Sequence, residues 1–236
     1  MPNWLKFTFA TVMSTLLLTT IATAEYTDLM GFPELQALLG GNLPTGAGIP
    51  IAHVEAPDNG NYMPNIFDVD FSGKSISNVT GSSSGSSTHA TIVAHNFYGN
   101  QYSIAPDIDQ ILVYEATHWL DDGMLKITDT TNPRTTTARI ANHSYITNYT
   151  TSAYNTSTLL RTDFIVETDD FIQVIGLPNS FNDDYPIYKN AYNVISVGIT
   201  AGTHKATTID VDSTYTAGRV APTIVTPGFT HNTEGQ

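Results

Sequence analysis

The chain has 236 residues, no cysteine, and 22 acidic against 9 basic side chains, for a net charge of −13. That length suits one domain with a sizeable core. The charge argues against nucleic acid and anionic membranes as partners, and the absent thiols exclude disulfides and thiolate metal sites.

Residues 1–24 read as a cleavable signal peptide. Lys6 is the positive n-region, Phe7 to Ile21 is an apolar, Thr-rich core, and Ala22-Thr23-Ala24 is an A-x-A cleavage site before Glu25. The alternative is a membrane anchor, for which the core falls short of about 20 apolar residues. Removing Lys6 leaves 8 basic against 22 acidic residues, a net charge of −14. The expectation is a secreted, periplasmic or cell-surface protein with no membrane contact after cleavage. Abundant Thr, Ser and Asn with only 13% charged residues suits such an exported α/β or β-rich protein.

Residues 25–44 form an N-terminal helical segment, with Leu29, Phe32, Leu35, Leu38 and Leu39 as its apolar positions and Pro33 in its first turn. It is expected to pack on the domain that follows, residues 45–236. Ile49 to Glu55 is a buried strand that ends on a carboxylate. Asp58 to Phe71 is a polar loop, and Lys74 to Val79 is a short strand.

Gly81 to Ser87 contains only Gly and Ser, and His89 to Gly99 then reads as a helix. Ala90, Val93, Ala94 and Phe97 form its apolar stripe, Thr88 is the candidate N-cap and Gly99 the stop. His89 falls in the first turn, oriented by the scaffold yet open to solvent, as a general base must be. Taken alone, the stretch reads rather as a surface histidine beside a loop, and the rest of the chain reverses that reading.

Gln110 to Glu115 is a strong strand, Asp121 to Pro133 a polar turn region, and Arg139 to Tyr145 another strand. Ser157 to Asp169 has helical spacing at Leu159, Leu160, Phe164 and Val166. Phe171 to Gly176, Asn193 to Gly198 and Pro222 to Gly228 complete the apolar runs. Strands alternating with helical segments predict a parallel α/β sheet covered on both faces. Four Asn-x-Ser/Thr sequons begin at Asn78, Asn142, Asn148 and Asn155, a number expected by chance in so Thr-rich a chain.

From about Thr45 to Gly228 the order of motifs resembles the subtilisin-like serine peptidases. Gly46-Ala47-Gly48-Ile49 through Glu55 is similar to the family's first strand, which ends in the catalytic acid. His89-Ala90-Thr91-Ile92-Val93-Ala94, then Gly99, resembles H-G-T-x-V-A-G-x-x-x-G, which begins with the catalytic His. Ile104-Ala105-Pro106-Asp107 resembles a G-V-A-P-x turn. Asn142-His143-Ser144-Tyr145 resembles the N-x-S segment lining the substrate cleft. Val174 to Asn179 resembles the strand that delivers the oxyanion Asn, and Asn193 to Gly198 resembles N-V-I-x-V-G. Gly218-Arg219 with Ala221 to Gly228 is similar to K-P-D-I-V-A-P-G.

The resemblance implies a subtilisin-like three-layer α/β fold, mostly parallel with helices on both faces, and a secreted serine endopeptidase acting on polypeptide. It implies Glu55 as the acid, His89 as the base and Asn179 as an oxyanion donor. Asn142, Ser144 and Tyr145 would be the substrate-binding residues.

The sequence departs from the family in three ways. Glu55 stands where the family has Asp; it is one methylene longer, and its alternative is a strand-end surface acid. Ala90, His95 and Pro178 replace glycines, and Pro178 leaves Asn179 open as a plain turn residue. The nucleophile motif G-T-S-x-A-x-P would follow Pro227-Gly228, whereas the chain stops at Gln236. The expectation is a C-terminally truncated domain, inactive as it stands and low in stability. The alternative from another class is a non-catalytic exported peptide-binding or cell-surface module on the same fold. A third reading, the Glu-Asp-Ser acid peptidases of like architecture, is opposed by His89, which they lack.

No metal set is evident. His89 and His95 are six apart and do not share a helix face, and the other histidines lack ligand spacing. Asp107 with Asp109, Asp121 with Asp122, and Asp183 with Asp184 offer oxygen ligands for Ca²⁺ but lack EF-hand spacing, so no cofactor is expected to be required. The sequence leaves the oligomeric state open.

Overall fold

The computed structural model describes residues 24–81, 83, 85–145, 152–177, 190–199 and 222–226. The signal-peptide residues 1–23, Pro178, Asn179, Asp183, Asp184, Gly218-Arg219 and Pro227-Gly228 lie outside the described residues. The chain divides into two compact units, Met1–Leu43 and Pro44–Gln236.

In the first unit, α1 (Ala24–Leu29) leads into α2 (Phe32–Leu39) and a 3-10 turn, Gly40–Asn42. Gly31 enters α2 with a left-handed φ of 72°, and Pro33 occupies its first turn, where a missing N–H costs nothing.

The second unit is built on one seven-stranded sheet: β1 (Ile51–Glu55), β2 (Ser75–Asn78), β3 (Gln110–Glu115), β4 (Ile140–His143), β5 (Ile172–Gly176), β6 (Val194–Ile199) and β7 (Ile224–Thr226). Their order is β2-β3-β1-β4-β5-β6-β7, and every ladder is parallel. The expected parallel α/β sheet is therefore present. From β1 the chain goes to the edge as β2, returns beside β1 as β3, and then crosses to the other side of β1. Such a reversal of strand order opens a crevice at the carboxyl ends of strands, and Glu55 is the last residue of β1.

Alternation along the strands makes two cores. Ile51 of β1, Ile111 and Val113 of β3, and Ala94 and Tyr98 of α3 (Thr88–Tyr98) share one. Ala52, Val54, Tyr114, Ala141 and Ile175 share the other with Leu159 and Ile165 of α4 (Ser152–Asp169). A helix thus covers each face, and β1 is buried along its whole length.

Several boundaries and faces differ from expectation. Pro50 has no N–H for a ladder and stays outside β1, where its carbonyl accepts Arg139 N–H at 2.8 Å. The strands expected over 74–79 and 139–145 shorten to β2 and β4. Along α4 the buried face runs through Thr158, Leu159, Thr162 and Ile165, while Leu160 and Phe164 are exposed. Asp163 of α4 accepts the N–H groups of Tyr192 and Asn193 at 3.0 and 2.6 Å, pinning the entry to β6.

The stretch expected to be polar and turn-like from Asp121 contributes Met124 and Leu125 to the core. A short helical segment, Ala116–His118, runs there into a π-turn, Trp119–Gly123. Arg161 donates to the carbonyls of Leu125, Asp129 and Thr131 and holds the following loop.

The cap of α3 is Ser87 rather than Thr88. Ser87 is extended at φ −99° and ψ 135°, and its hydroxyl accepts Ala90 N–H at 3.2 Å. Ser87 is buried, and its own N–H is spent on the Met63 carbonyl, so it is no solvated linker residue. The change to Ser87→Ala is expected to lower unfolding free energy by about 1 kcal/mol in a denaturant titration. The exposed Thr88→Ala should leave it unchanged within about 0.5 kcal/mol.

Candidate active site

The site begins with the burial of Glu55. Its side chain is 1% exposed, at the carboxyl end of the central strand. A carboxylate there must be paired or protonated. Oε2 lies 2.8 Å from His89 Nδ1, and Oε1 lies 2.9 Å from His53 Nε2. Burial alone would raise the Glu55 pKa; hydrogen bonds from His53 and His89, with their charge interactions, outweigh it and hold the group below its ordinary 4.5. The group is therefore an ionised, acceptor-only carboxylate, and each imidazole nitrogen facing it carries the proton.

His89 reaches Glu55 because Ser87 caps α3 and fixes its first turn beside the end of β1. Its side chain is 59% exposed. With Nδ1 donating to Glu55, Nε2 of the neutral ring is left as a free base, and it has no hydrogen-bond partner among the described residues. The Glu55 hydrogen bond, opposed by partial burial and helped by the charges of Glu55 and Asp58, lifts its pKa above 6.5. The pair thus supplies an oriented proton acceptor backed by a buried negative charge.

His53, two residues before Glu55 on the same strand face, is completely buried. Sequence reading sets it aside among histidines without ligand spacing. Its Nδ1 lies 3.1 Å from Tyr98 Oη, and the two rings meet edge to face with centroids 5.7 Å apart. The signal for it in the sequence is a titratable residue at i−2 from the strand-end acid, since period-two geometry puts both on one face.

The structure brings Glu55 and His89 together. Asn142 and Ser144 stand one strand over, at the end of β4, whose His143 pairs in register with Val54. Asn142 Nδ2 donates to Ser144 Oγ at 2.7 Å, and both residues are half-buried. Tyr145 packs edge-on against His143, with centroids 5.8 Å apart. His143 itself is fully buried; desolvation pushes its pKa down to about 3, against an opposing hydrogen bond with Gln173, so it stays neutral.

Other singled-out groups lie elsewhere. His95, where the resembled pattern has glycine, pairs through Nε2 with Asp68 at 3.1 Å. Asp107 and Asp109 flank a turn whose carbonyls, Pro106 and Ile108, accept Lys74 Nζ at 2.7 and 2.8 Å. A Cβ on Gly46 would sit 2.5 Å from Ile108 Cγ1, so only glycine lets this turn close on the start of β1. Asp121 and Asp122 belong to the π-turn. Among the described residues no three His, Asp or Glu side chains converge on a point that could hold a metal ion, and no helix is long and apolar enough to cross a membrane.

The pair's contribution to stability depends on pH in a defined window. Glu55 has a depressed pKa, so its share is present above about 4.5 and lost as pH falls through its folded value. His89 has a raised pKa, so its share is present below about 6.5 and lost as pH rises through its folded value. The difference in unfolding free energy between the native chain and His89→Ala should peak between these pH values. It should also shrink in high salt, because His89 is largely exposed. A difference flat from pH 4 to 8 would contradict the pairing.

Comparison with family models gave no match, and comparison with curated proteins gave none. Among solved structures, that of the prenylagaramide maturation protease PagA is similar at 15% identity, with a TM-score of 0.45 over 65% of this chain and 54% of that one. The chain therefore spans about half the length of that protein.

Proposed function

We propose that this chain carries the acid and base of a secreted, subtilisin-like serine endopeptidase. The observation that supports the reading is the pair of Glu55 and His89, 2.8 Å apart at the carboxyl end of the central strand. The imidazole face away from the acid is open, and the pair sits where strand order reverses, the usual place for a site in an open parallel sheet.

In this reading Nε2 of His89 takes the proton of a serine hydroxyl as its oxygen adds to the scissile carbonyl. His89 then returns the proton to the leaving amine. Water repeats the sequence on the acyl-enzyme and restores the serine. Glu55 holds the Nδ1–H tautomer and stabilises the imidazolium without itself becoming protonated. The serine is that of the G-T-S-x-A-x-P motif which the resemblance implies. Asn179 donates to the oxyanion, a contribution of about 3 kcal/mol in comparable sites. Asn142, Ser144 and Tyr145 border the cleft, and a substrate strand pairs along the backbone there.

The test is expression of the complete reading frame and labelling with a fluorophosphonate probe. Labelling is expected and should be lost in His89→Ala, with peptide hydrolysis down on the order of 10⁴-fold or more. A full frame that neither contains the serine motif nor labels would favour a non-catalytic peptide-binding module instead. Hydrolysis should also fall as pH drops through a value above 6.5, because the base must be neutral and its pKa is raised. A rate that peaks at acid pH would favour the acid-peptidase reading.

A further inference from the structure

A glutamate has one more rotatable bond than an aspartate, and an unrestrained carboxylate at the end of β1 would sample several orientations. In this structure it does not hang free. His53 Nε2 holds Oε1 at 2.9 Å, on the oxygen that His89 does not use. His53 is in turn held from behind. Burial pushes the Tyr98 pKa far up, so its hydroxyl stays protonated, and it lies within hydrogen-bond distance of His53 Nδ1 at 3.1 Å. Nε2 faces the ionised carboxylate and is therefore the donor to it, which leaves Nδ1 to the Tyr98 hydroxyl. The contacts form one continuous row: Tyr98 bonds to His53, His53 donates to Glu55, and His89 donates to Glu55 from the other side.

We propose that His53, anchored by Tyr98, is a positioning residue that locks the Glu55 carboxylate toward His89 and draws part of its charge away from that imidazole. The proposal rests on the reading of Glu55 and His89 as acid and base. It explains how a longer acid can work where a shorter one is usual: the added methylene is immobilised by a second imidazole. The other groups facing this row are accounted for. Asp58, in the loop after β1, acts on His89 from solvent. Glu115, in register with Glu55 on β3, is committed to the N–H groups of Thr117 and His118. His143 on β4 is neutral.

The decisive experiment is a histidine ¹⁵N–¹H NMR titration of the chain. In the native protein His53 should show an unprotonated Nδ1 and a protonated Nε2. In His53→Phe the carboxylate loses one donor, becomes the stronger partner of His89, and should raise the His89 midpoint by about half a pH unit or more. His53→Gln keeps an N–H on the Nε2 side and should restore the midpoint to within about 0.2 of native. Tyr98→Phe frees His53 Nδ1 and should shift the His89 midpoint in the same direction by less, with a mixture of His53 tautomers.

A His89 midpoint unmoved in a folded His53→Phe would overturn the proposal. Should that variant not fold, an unmoved midpoint in Tyr98→Phe would overturn it equally. Because the titration needs no turnover, its result is independent of peptidase activity. Labelling by fluorophosphonate without a His53 effect removes only the positioning role. A His53 effect without labelling removes only the peptidase reading. In an active full-length protein the acid limb of kcat/KM should follow the NMR midpoint across the variants.

Discussion

A buried carboxylate organises this protein. Leaving Glu55 without partners would cost several kcal/mol, and both of its oxygens are taken by imidazoles. Those imidazoles come from different elements, one from β1 itself and one from the first turn of α3. Tyr98, the last residue of α3, then reaches back to His53. His89 and Tyr98 are nine residues apart, about 13.5 Å along the helix. One helix therefore grips one strand at two separated points through a single line of hydrogen bonds. That clasp sets the direction of α3 against the sheet, and the apolar contacts of Ala94 and Tyr98 with Ile51, Ile111 and Val113 fill the space between.

The sheet and its helices were readable because their signals are periodic. Apolar runs gave the strands, and the run from Ala90 gave α3. The misreadings share a physical origin. Along α4 the buried face uses Thr158 and Thr162, which apolar counting passes over, while Leu160 and Phe164 face outward. At α3, Ser87 and Thr88 are equally competent caps by type, and only the extended backbone of Ser87 separates them. Met124 and Leu125 enter the core from a stretch dominated by Asp, Thr and Asn, since two large side chains suffice once a π-turn aims them inward.

For the site, motif order singled out Glu55 and His89, and the structure places them in contact. It could not single out His53. Whether that histidine also finds a second partner depends on what lies across the sheet–helix interface, and its spacing to Glu55 along the strand carries no such information. In the sequence Tyr98 is an aromatic at the end of a helix, and nothing marks its hydroxyl as the partner of His53. Asn179 and the expected leader lie outside the described residues.

Lys74 closes the picture from the edge of the sheet. Its ammonium sits between the Pro106 and Ile108 carbonyls, with Asp70, Asp107 and Asp109 contributing favourable charge. Two backbone carbonyls with nearby carboxylates make a setting that a dissolved cation can also fill. Here the cation is tethered by its own backbone, and so it is always at high effective concentration. The turn before β3 is therefore held by a charge that a chelator cannot strip and dilution cannot remove. That joint therefore stays intact across media of different ionic composition.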